Sequence, residues 1–266
     1  MTTTHRPLAV VTGASSGIGR AIADELVEHG YDLVVAAEDG RVQDTARELS
    51  GRGCDVVAVQ ADLSTREGVD RLHDEVAATG RPVRAGVLNA GIANGGDFAD
   101  SDLDADLRLV DLNCRGTVHL AKHLVREMAA AGEGMLLFTS SVAAGAPGPY
   151  QATYAASKAF VQSFAASLRH ELRETGVTVT TLVPGPTDTE IFDRGGLRGT
   201  RLGEGGKKDP AEVAREAYRG MVDGKAQVVT ADPVMKAGFA ASGNSTIPEQ
   251  AGAAAVAHQT RPGSAD

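Results

Sequence analysis

Residues 8–19 read LAVVTGASSGIG, an apolar run that empties into a cluster of glycines. The five residues Leu8 to Thr12 have the length and Val/Leu content of a strand buried on both faces. Gly13, Gly17 and Gly19 follow with GxxxGxG spacing, and an amphipathic stretch runs from Gly17 to His29 before Gly30. A strand, a glycine turn and a helix in that order let backbone approach a pyrophosphate, with the N–H groups and positive dipole end of the helix aimed at it.

Working outward, the same alternation continues. Further strands are predicted at Leu33–Ala37, Val56–Gln60, Ala85–Leu88, Met135–Thr139 and Val177–Val183, with a short last one at Val228–Thr230. Helices are predicted at Val42–Leu49, Thr65–Thr79 (with Ser64 as N-cap), Asp102–Ala131 (broken near Leu109), Thr153–Thr175 and Pro210–Asp223. Alternating strands and helices imply parallel βαβ units, hence a doubly wound α/β sheet of Rossmann type in three αβα layers. One domain over residues 1–230 is expected, including a loop at 190–209, with residues 231–266 as a tail ordered at most in part. That tail is rich in Ala, Gly and Ser and weakly periodic.

Composition narrows the function classes. The 266 residues are 42% hydrophobic and 23% charged, which supports a sizeable core and excludes global disorder. A net charge of −9 argues against general nucleic-acid binding. No apolar run reaches membrane-spanning length, and residues 1–7 lack a signal-peptide core, so a cytoplasmic protein without a membrane partner is expected. Two isolated cysteines, Cys54 and Cys114, exclude a disulfide framework or zinc cage.

Chemistry gathers at the carboxyl ends of the predicted strands, where doubly wound folds bind ligands. Asp62-Leu63 follows the third strand, Asn89-Ala90-Gly91 the fourth, and Ser140-Ser141 the fifth. Tyr154 and Lys158 stand at i and i+4, on one helix face. A phenol titrates near ~10, and a nearby ammonium favours its ionised form.

These pieces resemble the short-chain dehydrogenase/reductase family in its single-domain form, over about Leu8 to Thr230. The resemblance rests on TGASSGIG (12–19), Asp62-Leu63, Asn89-Ala90-Gly91, Leu112-Asn113-Cys114-Arg115-Gly116, Ser140-Ser141, YAASK (154–158) and Pro184-Gly185-Pro186-Thr187-Asp188-Thr189. It implies hydride transfer between a nicotinamide cofactor and a carbonyl/secondary alcohol pair. Tyr154 is then the general acid/base, and Lys158 lowers its pKa and binds the nicotinamide ribose. Ser141 polarises the substrate oxygen, and Asn113 holds a water relay to Lys158. Pro184, Gly185, Thr187 and Thr189 fall on the nicotinamide side. Gly13, Ser15, Ser16, Gly17, Ile18, Gly19, Asp62, Leu63, Asn89, Ala90 and Gly91 complete the cofactor site. Relatives pair their long helices across two-fold axes, which implies a homodimer or homotetramer.

The cofactor form is less clearly written. NAD-using relatives carry Asp where Ala37 stands, and many NADP-using ones carry Arg where Glu38 stands or a basic residue where Ser16 stands. Glu38 lies 19 residues past Gly19, close to the ~20 expected of a carboxylate on the ribose hydroxyls. NAD(H) is expected, with NADP(H) the alternative. Two other functions fit parts of the pattern: a nicotinamide-binding regulator without turnover, and a nucleotide-sugar epimerase or dehydratase, which needs a larger C-terminal domain. Residues 194–208 hold five basic residues and six glycines against one acid, read either as a solvated loop or as a lid closing on an anionic group. His119 and His123 have metal-compatible i, i+4 spacing, but no third ligand stands nearby in sequence, so no metal is expected. Cys114 reads as a small buried residue rather than a reactive thiol.

Overall fold

The computed structural model describes residues 6–191, 195 and 206–242. The tail beyond 242 and most of the basic loop, with Arg194, Arg198 and Arg201, lie outside the described residues.

Seven parallel strands form one sheet in the order β3-β2-β1-β4-β5-β6-β7. They are β1 (Leu8–Thr12), β2 (Asp32–Ala37), β3 (Val56–Gln60), β4 (Val83–Leu88), β5 (Gly134–Thr139), β6 (Val177–Pro184) and β7 (Gln227–Thr230). The order reverses between β1 and β4, which sets the topological switch point there. Helices α1 (Gly17–Glu28), α2 (Arg41–Ser50), α3 (Arg66–Ala78), α4 (Leu103–Val110), α5 (Thr117–Ala131), α6 (Ala152–Glu171), α7 (Pro210–Val222) and α8 (Pro233–Ala241) connect or follow the strands.

Period-two alternation divides the core. Leu8 and Val10 of β1 point to a cluster that includes Val69, Leu124 and Ala165 of α3, α5 and α6. Ala9 and Val11 point to the opposite cluster, with Ile22, Leu49 and Val213 of α1, α2 and α7. Both faces of the central strands are therefore buried, which is why they read as unbroken apolar runs. β3 departs from that expectation: Val57 and Gln60 are exposed, because β3 is an edge strand and only β2 pairs with it.

Three local features refine the sequence reading. Thr65, not Ser64, caps α3, its hydroxyl accepting from the Gly68 N–H at 3.0 Å, while Ser64 Oγ donates to Asp62 Oδ1 at 2.6 Å. The helix expected over 102–131 carries a π-helical turn at Asp111–Gly116, just past the expected break. A Cβ on Gly116 would lie 2.2 Å from the Leu63 carbonyl oxygen, so this turn packs directly on the β3–α3 connection.

Within the tail, Asp232 caps α8 by accepting from the N–H groups of Val234 and Met235, and Phe239 is buried with Ala144 and Val183. A parallel bridge between Thr187 and Lys208 ties together the two ends of the 188–207 segment.

Candidate active site

The glycine turn shows why side chains are excluded at the switch point. Gly13 and Gly17 have φ of +65° and +56°, which only glycine adopts freely. A Cβ on Gly19 would stand 2.2 Å from the Gly13 carbonyl oxygen and 2.4 Å from Asn89 Nδ2. Ser16 is the N-cap of α1 in position only, for its side chain makes no capping hydrogen bond. The first N–H groups of a 12-residue helix are thus left without a side-chain partner, the arrangement an anionic phosphate takes up.

A cavity of about 600 Å³ opens above this turn, a size that accepts a cofactor-sized ligand. It is lined by nearly all the residues expected of the site: Gly13, Ser15, Ser16, Gly17, Ile18, Glu38, Asp62, Leu63, Asn89, Ala90, Gly91, Ser141, Tyr154, Lys158, Pro184, Gly185, Thr187 and Thr189. Two of the expected residues lie beneath its wall. Gly19 packs under Gly13, and Asn113 is 1% exposed inside the π-helical turn.

Glu38 and Asp62 mark one end of the cavity, and Arg108 of α4 joins them. Its guanidinium contacts Glu38 Oε1 at 2.7 Å and Asp62 Oδ2 at 2.9 Å. Burial pushes the Asp62 carboxyl up, but hydrogen bonds from Ser64 and Arg108 outweigh it and hold it below the ordinary carboxylate range. Arg41, the other nearby cation, is clasped by Asp39 at 2.9 Å and Glu190 at 2.8 Å. Asp39 also accepts from Ser15 Oγ at 3.2 Å and is held low chiefly by its hydrogen bonds from Arg41.

Ser141, Tyr154 and Lys158 come together at the other end. The Ser141 hydroxyl stands close enough to the Tyr154 phenol to favour its ionised form, and Ser141 Oγ is oriented by accepting from the Ala143 N–H at 3.2 Å. Lys158 is 4% exposed, with Nζ donating to the Thr139 carbonyl at 3.0 Å and lying 5.9 Å from the Tyr154 ring centre. Burial pushes the Tyr154 phenol up, partly offset by Ser141, and pushes Lys158 down to about 8.

Asn113 acts on the backbone. Its Oδ1 accepts from the Ile92 N–H at 3.0 Å, and its Nδ2 donates to the Ile92 carbonyl at 2.9 Å and to Ser157 Oγ at 3.0 Å. A Cβ on Gly91 would meet both Asn113 Oδ1 at 3.0 Å and Lys158 Nζ at 3.2 Å, so that glycine is what lets the two approach. Cys114 is half-buried and burial pushes its thiol up, consistent with a packing role.

Sequence reasoning missed Arg108, read Thr12 only as the first residue of the 12–19 motif, and missed Met235 and Phe239. The last two line the cavity from α8. Asp232-Pro233 carries the same cap-and-proline signal that locates α7 at Asp209-Pro210, and was the cue for that helix.

The family profile described as short chain dehydrogenase matches residues 7–196. An uncharacterised short-chain type dehydrogenase/reductase of Sinorhizobium fredii is 33% identical over 216 residues, 80% of each chain. A short-chain dehydrogenase from Sphingobium yanoikuyae, solved in complex with NADPH, superposes with a TM-score of 0.81 at 27% identity, over 98% of each chain. A short chain dehydrogenase/reductase from Burkholderia phymatum, in complex with NAD, gives 0.81 at 27% identity over 90% of this chain and 94% of that one. This chain belongs to the short-chain dehydrogenase/reductase family. It is an NAD(P)-dependent oxidoreductase, and no helix among the described residues is long and apolar enough to cross a membrane.

The buried lysine has a measurable thermodynamic signature. Below pH ~8 it is charged in both folded and unfolded chains, and the burial penalty is fully present. Between about 8 and the ordinary 10.5 the unfolded chain keeps a proton that the folded one has lost, so stability rises with pH. The lowering corresponds to roughly 3 kcal/mol at neutral pH. Lys158→Met is therefore expected to stabilise the cofactor-free protein in denaturant unfolding at pH 7, with the gain shrinking towards pH 10.5. A pH-independent loss of stability would contradict this account.

Proposed function

We propose that the protein interconverts a carbonyl compound and its secondary alcohol, with NAD(H) as the preferred cofactor. The observation that carries the reading is that Ser141, Tyr154 and buried Lys158 line the same cavity as the glycine turn. The cofactor, when bound, takes or supplies the hydride. In this reading the α1 N-terminus and Gly13–Gly17 hold its pyrophosphate, and Lys158 its nicotinamide ribose. Ser141 Oγ holds the substrate oxygen. Tyr154 Oη accepts the hydroxyl proton in oxidation and returns it to the carbonyl oxygen in reduction. Ser140 Oγ, donating to the Lys158 carbonyl at 2.9 Å, fixes the helix turn on which that lysine stands.

Tyr154→Phe removes the proton carrier at the reacting oxygen and leaves the glycine turn intact. Turnover against a panel of ketones and secondary alcohols should fall by ~10²–10⁴, with cofactor affinity little changed. Near-normal turnover would exclude this mechanism.

The preference for NAD(H) rests on charge. Glu38 lies exposed at the cavity rim, and the nearby Arg108 and Arg41 are each already engaged by two carboxylates. A ribose 2′-phosphate would meet carboxylates there before any uncommitted cation. Glu38→Arg should shift the ratio of kcat/KM values towards NADP(H) by at least about tenfold, while a parent enzyme that already favours NADP(H) would refute the assignment.

We further propose a homodimer or homotetramer formed through the α4 and α6 faces. Leu103, Leu107 and Val110 of α4 and Phe160 of α6 are all exposed at 42–66%, more apolar surface than one isolated helix face leaves in water without use. Light scattering at micromolar concentration should give a multiple of the chain mass, and a monomer would count against it.

A further inference from the structure

The two histidines that sequence spacing left without a third ligand acquire one from a helix 49 residues earlier in the chain. Asp70 of α3 faces His119 and His123 of α5. Its Oδ1 lies 2.9 Å from His119 Nε2 and 3.7 Å from His123 Nε2, and one ligand atom from each residue falls within 4.8 Å of the others. A tetrahedral zinc with bonds of ~2.0–2.2 Å separates neighbouring ligand atoms by roughly 3.3–3.5 Å. The two distances from Asp70 bracket that value.

Two further observations favour a metal over a plain ion pair. His123 Nε2 is buried and has no hydrogen-bond partner, although it points to the same carboxylate oxygen that His119 contacts. The His123 ring is held from behind by His73, stacked at 4.0 Å between ring centres, and His73 is itself anchored by Nε2 to Glu127 at 2.7 Å. The nearest competing cation is Arg66, whose Nη1 stands 4.0 Å from the other carboxylate oxygen of Asp70. His119 also borders a cleft of about 510 Å³ with Thr65, Arg66 and Phe160, which provides an entry path.

We infer that Asp70, His119 and His123 form a zinc site that clips α3 to α5, a place outside the active-site cavity that none of the three lines. Two imidazoles and a carboxylate suit zinc, with water in the fourth position. The ion reinforces the helix that continues directly from the Asn113 turn, and takes no part in hydride transfer.

The test is calorimetric titration of the EDTA-dialysed full chain with zinc chloride. The His119→Gln/His123→Gln double variant and Asp70→Asn are titrated in parallel, with circular dichroism to confirm their folds. One zinc per chain is expected, with a micromolar or tighter Kd that weakens by at least ~10-fold in each variant. Zinc should raise the Tm of the parent but not of the double variant. Absence of micromolar binding would overturn the proposal. So would binding that survives in the double variant, which would place the ion on other histidines such as His29 or His170.

Discussion

The Thr12 hydroxyl at the end of β1 is the fastening on which the rest of the site depends. It accepts from the N–H groups of both Asn89 and Ala90, at 2.9 and 3.0 Å, and donates to the Val87 carbonyl at 3.2 Å. Asn89 returns the contact through Nδ2 to the Thr12 carbonyl and accepts from Thr139 Oγ1 on β5 at 3.2 Å. Three strand ends are thereby locked in register at the switch point. With that approach fixed, no room remains for a Cβ at Gly19, and Gly13 must take a left-handed turn to clear Ala90. The phosphate-sized opening over α1 is thus a result of packing, since the same atoms that close the sheet ends leave the helix N-terminus bare.

From that lock the catalytic end follows at a thermodynamic disadvantage that the surrounding bonds limit. A buried ammonium without partners would give up its charge. Lys158 retains the carbonyl of Thr139, the same strand-end residue that Asn89 secures. Asn113 adds the second restraint, bonding both backbone groups of Ile92 and so fixing the loop that passes beside the lysine. A π-helical turn is the local device that carries Asn113 there. One extra residue in the turn shifts the following helix, and such turns occur often at functional sites. Tyr154 is linked to the same set through its own carbonyl, which accepts from Ser157 Oγ at 2.7 Å, while Asn113 donates to that hydroxyl. Asn113 and Tyr154 are therefore tied through Ser157, the residue before Lys158.

Much of this was legible in sequence where the physics is local. Strands buried on both faces announce themselves as continuous apolar runs, so β1, β2, β4, β5 and β6 were placed within two residues. β3 was placed too, but not its exposure, because which strand lies at the edge is a property of topology. Tyr154 and Lys158 share a helix face whatever surrounds them, and Gly13–Gly19 sit between a strand and a helix in any reading. The losses came where partners are distant in the chain. Arg108 joins Glu38 to Asp62 from a helix that no local pattern connects with either. Asp70 stands beside His119 only because α3 and α5 pack on the same face of the sheet. The capping of α3 fell one residue late because Ser64 and Thr65 offer the same hydroxyl chemistry, and Asp62 took the first of them.

The cavity is consequently built by two sets of residues with different freedom to vary. Strand ends and α6 supply the glycine turn, Ser141, Tyr154 and Lys158, all constrained by the register of the sheet. Part of the remaining wall comes from the turn after Ser141 and from α8, which pack on each other and on Val183 of β6. A Cβ on Gly145 would lie 2.8 Å from the Phe239 ring, so the turn and the helix fit closely. Ala143, Ala146, Pro147, Met235 and Phe239 make this described wall apolar. Exchanging the Met235 or Phe239 side chain leaves the bonds of Ser141, Asn113 and Lys158 in place, because none of them passes through α8. The hydrogen-bonded strand ends and the apolar wall are therefore held by different contacts. The first are fixed by hydrogen bonds that span three strands, and the second by the packing of one short helix on a turn and on Val183 of β6.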